Sequence, residues 1–167
     1  TYLGNADPVV YGGLQNTFRM GKLSLGVYFV YSLGGKIFNY SELYMSGSRT
    51  TNQYAYMVNA WHPVKNPDSN LPRAGIIDGD VHSTRQLHDA SYLRLKTVSL
   101  SYVWNLKKKF VRDITFSLSG ENLYLWKYYN GFDPDVSTSS DGSTLRRMDL
   151  GAYPRARTVM ASVQFRY

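Results

Sequence analysis

Leu23 to Leu33 reads LSLGVYFVYSL, and its alternation decides the fold. Leu23, Leu25, Val27, Phe29, Tyr31 and Leu33 are apolar at every second position, with Ser24, Gly26, Tyr28, Val30 and Ser32 between them. A period of two puts the first set on one face of a β-strand and the second on the other. Steps of ~3.3 Å per residue, tilted by about 40°, give this run an apolar band roughly 25 Å tall. That height matches the lipid-facing belt of an outer-membrane barrel, and the run exceeds the usual soluble strand of about 5–6 residues.

The pattern recurs on both sides of the chain. Val98, Leu100, Tyr102 and Trp104 alternate with Ser99, Ser101 and Val103, and Ile114, Phe116 and Leu118 with Thr115, Ser117 and Ser119. Val159, Ala161, Val163, Phe165 and Tyr167 alternate with Met160, Ser162, Gln164 and Arg166. Leu14 to Met20 is a weaker strand, with Asn16 interrupting its apolar face. No helical stripe of comparable length accompanies these five strands, and no domain linker separates them. The chain reads as all-β and antiparallel.

Connections alternate short and long. Met20-Gly21-Lys22 and Leu106 to Arg112 are short, whereas Tyr40 to Ala90 and Lys127 to Ala156 far exceed the usual ~4–6 residues. Short turns at one end and long loops at the other are the habit of outer-membrane barrels. Five strands cannot close such a barrel, which needs about eight, and bare strand edges in hydrocarbon cost several kcal/mol per unpaired group. A membrane reading therefore requires a larger barrel of which these strands are a segment. A secreted, soluble β-sandwich acting as a binding or adhesion module is the alternative, since sandwiches also alternate. Its outer face would carry many charges, and the second face here is mostly Ser, Thr, Gly and Gln.

Composition narrows the classes further. The 167 residues include no cysteine, 15 tyrosines, 14 glycines and a net charge of +7. Without cysteine there is no disulfide scaffold, thiolate zinc site or cysteine nucleophile. No run of 18 apolar residues exists, so no transmembrane helix is expected. The opening TYLGNADP has neither an initiator methionine nor a charged-then-apolar leader, so a signal peptide is expected to be absent or removed.

Several stretches carry a family resemblance. They are Pro8-Val9-Val10-Tyr11-Gly12-Gly13, GGKIFN at Gly34–Asn39, SYLRLKTVSLSY at Ser91–Tyr102, ENLYLWKYYNGFDPD at Glu121–Asp135 after Ser119-Gly120, and AYPRART at Ala152–Thr158. In order and spacing they resemble the C-terminal part of SusC-like (RagA/SusC) TonB-dependent transporters, nutrient importers of the Bacteroidota outer membrane. The resemblance implies that residues 1–167 are about the last five strands of a barrel of about 22 strands. It also implies a plug and a TonB-gripped segment outside this chain, so that the chain alone does not transport. The implied partners are TonB, a SusD-like surface lipoprotein, outer-membrane lipid and a glycan or peptide substrate.

Individual residues invite sharper readings. Phe165 and Tyr167 end the last strand and are expected to act as an assembly signal, although any β-protein can finish on an aromatic. Trp104, Trp126, Tyr128 and Tyr129 sit at strand ends, where aromatic girdles anchor barrels at the lipid–water boundary. Tyr128, Tyr129 and Phe132 lead into the long outer loop, so packing within that loop is open to them as well as substrate contact. Arg146, Arg147, Arg155 and Arg157 form an outer basic cluster, and Arg155 with Arg157 suits lipopolysaccharide phosphate as well as loop salt bridging. Lys107, Lys108, Lys109 and Arg112 form a basic turn, read as solvated. Nucleic-acid binding has no fold signature to support it.

No catalytic, cofactor or metal site is expected. His62, His82 and His88 fall in the long loop, and His88-Asp89 beside Ser91 is only local adjacency, which makes no triad. Asp78-Gly79-Asp80 and Asp133-Pro134-Asp135 match no EF-hand loop and read as turns. By parity Ser24, Ser99, Ser101, Thr115 and Gln164 face the lumen, toward plug or substrate.

Overall fold

The computed structural model describes residues 2–47, 52–73, 82–106, 110–138 and 146–167. The lysine turn at Lys107–Lys109 and the Asp78-Gly79-Asp80 motif lie outside them. In chain order the strands are β1 (Val10–Met20), β2 (Leu23–Leu33), β3 (Lys36–Asn39), β4 (Leu87–Asp89), β5 (Tyr92–Asn105), β6 (Asp113–Lys127), β7 (Met148–Asp149) and β8 (Thr158–Arg166), with helix α1 at Tyr40–Gly47 between β3 and β4. They build two compact units.

The sheet unit comprises Pro8–Gly34, Ala90–Tyr128 and Pro154–Tyr167. Its five strands lie in the order β1-β2-β5-β6-β8, every neighbouring pair antiparallel. This meander keeps all five long strands in one sheet, unlike the two-sheet Greek key of an immunoglobulin-type sandwich. Both long excursions leave and rejoin it at the same end, where the Ser91 hydroxyl accepts a hydrogen bond from Gly34 N at 2.8 Å.

Three strands run further than alternation predicts. β1 starts at Val10 because its glycines are covered from β2: a Cβ at Gly12 would meet the Tyr31 ring and one at Gly13 the Tyr28 ring. Neighbouring aromatics thus supply what the glycines lack. β5 reaches back to Tyr92 through a bulge, since the register shifts between Leu95 and Thr97. β6 continues to Lys127 through Asn122, whose φ is 52°.

The loop unit gathers Thr1–Asp7, Gly35–Asp89 and Tyr129–Tyr153. A three-stranded sheet, β4-β3-β7, carries one antiparallel and one parallel pairing. α1, absent from the sequence reading, is started by Asn39, whose side-chain oxygen accepts from Glu42 N at 2.9 Å. Glu42 in its first turn complements the helix dipole. Ile37, Leu43, Met57, Ala60 and Tyr129 form the buried apolar core.

Candidate functional site: a two-faced wall with loop-bearing end

Register turns the separate alternations into continuous rows. Phe18, Leu25, Leu100, Leu118 and Ala161 stand side by side across the sheet, as do Met20, Leu23, Tyr102, Phe116 and Val163. The next rows upward are Asn16–Val27–Val98–Gly120–Val159 and Leu14–Phe29–Leu95–Tyr124. Members of these rows are solvent-exposed: Leu118 at 51%, Phe18 at 55%, Val163 at 52%. A soluble monomer rarely shows a contiguous apolar patch beyond a few hundred Å². Five strands of such rows describe a face made for hydrocarbon.

The opposite face is small and polar. Ser24, Ser101, Ser117 and Ser162 form one in-register row beginning at Arg19, and Thr17, Gly26, Ser99 and Ser119 form the next, which ends on Met160. Thr115 pairs with Gln164 one rung further on. The structure therefore brings Ser24, Ser99, Ser101, Thr115 and Gln164 onto one face. Sequence reading missed Arg94 on this face: it pairs with Val30 and Leu125, is 4% exposed, and holds its guanidinium 5.5 Å from the Tyr92 ring centroid. A cation inside an otherwise apolar LRL triplet was its one signal.

Aromatics mark both ends of the apolar face. Trp104 stacks on Phe116 with centroids 6.5 Å apart at the short-turn end, and Tyr124 meets Trp126 at 4.5 Å near the loop end. Indole and phenol rings are suited to that boundary, with an apolar body and a polar tip.

The chain's sequence and fold are similar to those of known proteins. No family model matches the chain. TonB-dependent receptor P3 of Formosa agariphila is 32% identical over 174 residues, spanning 99% of this chain and 17% of that receptor. TonB-dependent receptor P26 of the same organism is 30% identical over 168 residues, spanning 94% of this chain and 17% of its own length. The chain carries the sequence of a TonB-dependent receptor.

The fold agrees. The solved RagAB peptide transporter superposes on 98% of this chain with a TM-score of 0.83 at 24% identity, using 18% of its own chain. The chain is thus an outer-membrane β-barrel segment, and it spans about a sixth of the length of the TonB-dependent receptors it matches.

Within this receptor segment the aromatic candidates separate. Tyr128 is 82% exposed and Phe132 is exposed, whereas Tyr129 is 2% exposed and donates its hydroxyl to Asp149 Oδ2 at 2.6 Å. Packing in the loop-unit core, rather than a girdle or an open contact, is the place the structure gives Tyr129. Burial, then the hydrogen bond and charge of Asp149, push its phenol well above the ordinary range. Asp149 also accepts from Gly151 N and Ala152 N, each at 3.0 Å. Nearby, His88 Nε2 lies 2.6 Å from Glu42 Oε2, and the Tyr56 hydroxyl donates to Glu42 Oε1 at 3.1 Å.

The remaining candidates are placed as follows. Phe165 pairs with Ile114 on the apolar face, and both Phe165 and Tyr167 are exposed. Arg155 and Arg157 are exposed in the sheet unit. Arg146 belongs to the loop unit and meets Asp7 at 3.3 Å. His62 Nδ1 accepts from Val64 N and Lys65 N, and His82 packs edge-on against Phe38, so both have structural partners. Asp133 is buried and accepts from Asp135 N at 3.0 Å, the geometry of an Asx turn. No group of three or more His, Asp or Glu suited to a metal occurs among the described residues.

Proposed function

We propose that this chain is the C-terminal wall section of a TonB-dependent importer that carries a nutrient, a peptide or an oligosaccharide, across the outer membrane. The in-register separation of the two faces carries the reading: lipid meets the leucine and valine rows, and the serine rows face the lumen and its plug. The similar RagAB protein is named a peptide transporter, and the Formosa relatives are named TonB-dependent receptors. In this reading the loop-bearing end faces outward toward a SusD-like lipoprotein, and the short turns are periplasmic. Plug, TonB contact and the remaining strands belong to other parts of the receptor, and β1 and β8 each pair with a further strand. The segment contributes shape and surface rather than catalysis or a cofactor.

Single cysteines in a cysteine-free form of the full-length receptor test the wall. Cysteines at Leu100 and Leu118 should react with lipid-soluble maleimides, and those at Ser101 and Ser117 with water-soluble ones. The opposite selectivity would reject the assignment of faces. Import is tested separately by accumulation of labelled peptides and oligosaccharides in cells with and without TonB. Uptake indifferent to TonB would reject the transport reading.

A further inference from the structure

A recess of about 160 Å³ opens in the sheet between Gln15, Gly26, Val27, Tyr28, Thr97 and Ser99. Register puts Val27 on the apolar side and the other five on the polar one. Gln15, Tyr28 and Thr97 share a rung, and Gly26 with Ser99 the rung beside it. Two glycines shape the recess. A Cβ at Gly13 would meet the Tyr28 ring at 2.8 Å, so its absence lets that ring lie across β1. A Cβ at Gly26 would meet Ser99 Oγ at 2.6 Å, so its absence leaves a hollow beside the ring. Among the described residues no hydrogen bond engages the side chains of Gln15, Tyr28, Thr97 or Ser99. The volume lies below the roughly 300–1,000 Å³ of sites that enclose a drug-sized ligand, which suits a single ring-sized unit.

We propose that this recess is a subsite on the barrel wall for one neutral sugar ring of an oligosaccharide in transit. The inference rests on the wall reading above, which turns this face to the lumen, and it narrows the nutrient to an oligosaccharide. A pyranose has a C–H face that packs on a tyrosine ring and a rim of hydroxyls that both donate and accept. The Gln15 amide and the Thr97 and Ser99 hydroxyls do the same. An extended peptide takes its main-chain hydrogen bonds from an open strand edge. Here the recess lies over β2, whose two edges are already paired to β1 and β5. None of its six lining residues is charged, so nothing in it answers a ligand carboxylate, sulfate or ammonium. The charges that register sets nearby, Glu121 opposite Thr97 and Arg19 opposite Ser24, lie outside the lining.

The test presents the full-length receptor in detergent to an array of neutral, uronic-acid and sulfated oligosaccharides and mixed-sequence peptides, then titrates the retained probes by calorimetry. Wild type should retain neutral oligosaccharides best. Tyr28→Ala removes the platform and Gly26→Val fills the hollow, and each should weaken that binding about tenfold. Tyr28→Phe keeps the ring and should retain most of the affinity. Ser162→Ala, two strands from β5 on the same face, should change nothing. Retention of no neutral oligosaccharide, a preference for anionic sugars or peptides, or neutral binding indifferent to both Tyr28→Ala and Gly26→Val would each overturn the proposal. So would a Ser99→Cys thiol closed to water-soluble maleimide, because the plug then fills the recess. Heat-modifiable migration of every variant is scored first, followed by accumulation of the retained probes in cells with and without TonB. Accumulation indifferent to TonB rejects the transport reading, whereas TonB-dependent accumulation untouched by these substitutions rejects the sugar subsite alone.

Discussion

Leu118 and Ser117 are sequence neighbours on opposite faces of β6, so arginine at each position measures what the two faces meet. Leu118 lies in the row Phe18–Leu25–Leu100–Leu118–Ala161, and Ser117 in the serine row. Counted from Ile114 beside Trp104, Leu118 is about 10 Å above the lower rim of a band roughly 25 Å tall. That depth is close to the bilayer midplane, where a lipid-facing arginine costs about 2–4 kcal/mol; at the rim the cost falls to ~0–1 kcal/mol. Leu118→Arg should therefore destabilise the full receptor by about 2–4 kcal/mol, and Ile114→Arg by ~1 kcal/mol or less. Ser117→Arg should also stay near ~1 kcal/mol, because a lumen-facing change alters selectivity more than stability. Urea titration of receptor folded into phospholipid vesicles, followed by heat-modifiable migration, reads all three. A Ser117→Arg loss equal to that of Leu118→Arg would refute the two-faced wall. An Ile114→Arg loss as large as that of Leu118→Arg would refute the depth argument.

Three further outcomes are expected. Tyr129→Phe removes the 2.6 Å bond to Asp149 in the loop-unit core and should loosen that unit by about 1.5–3 kcal/mol. Hydrogen exchange should show the loss across residues 35–89 and 129–153, and unchanged protection there would contradict it. Tyr56 is pushed up to about 12 by burial and by the charge and hydrogen bond of Glu42. A phenol with its folded pKa raised above its unfolded value contributes stability below pH ~10 and loses it as pH climbs through the folded pKa. Loop-unit protection should thus fall between about pH 10 and pH 12, and Tyr56→Phe should blunt the fall. Equal alkaline sensitivity in the variant would exclude Tyr56 as a contributor. Deleting Phe165–Tyr167 from the full receptor should lower its outer-membrane level, and normal levels in immunoblots of purified membranes would remove the assembly role.

The sequence exposed the wall where alternation ran unbroken and hid it where neighbours compensated for gaps. β2 and β8 were readable nearly end to end. β1 lost its first residues because Gly12 and Gly13 carry no side chain of their own and rely on Tyr31 and Tyr28. β6 was cut short at Leu118 because two apolar slots hold Gly120 and Asn122; Leu123 lies over Gly120, which a fixed period of two does not anticipate. The loop unit was hidden for another reason. Its strands are as short as Met148–Asp149 and its interior is held by polar groups such as Asp149, so no hydrophobic period exists to find. Asn39 followed by Tyr-Ser-Glu is a legible helix start. Tyr128 and Tyr129 show the limit: identical adjacent residues, one open to solvent and one buried, separated only by tertiary packing.

The bulge in β5 shows why the phase of alternation changes within one strand. Leu93 and Leu95 stand on the apolar face at odd positions, opposite Tyr31 and Phe29, while Val98 and Leu100 stand there at even positions. Lys96 is the extra residue between the two phases, its Nζ donating to Asn122 Oδ1 at 3.3 Å. Pairing Lys96 with Phe29 in thought, so that the bulge is lost while Thr97 stays opposite Tyr28, would set residue 95 opposite Val30 and Arg94 opposite Tyr31. A one-residue slip exchanges faces for everything beyond it. Arg94 would then enter hydrocarbon at a cost of up to about 2–4 kcal/mol, and two leucines would turn toward water. The same extra residue that blocks a period-of-two reading is what lets one strand carry a buried inward cation and an unbroken outward apolar face.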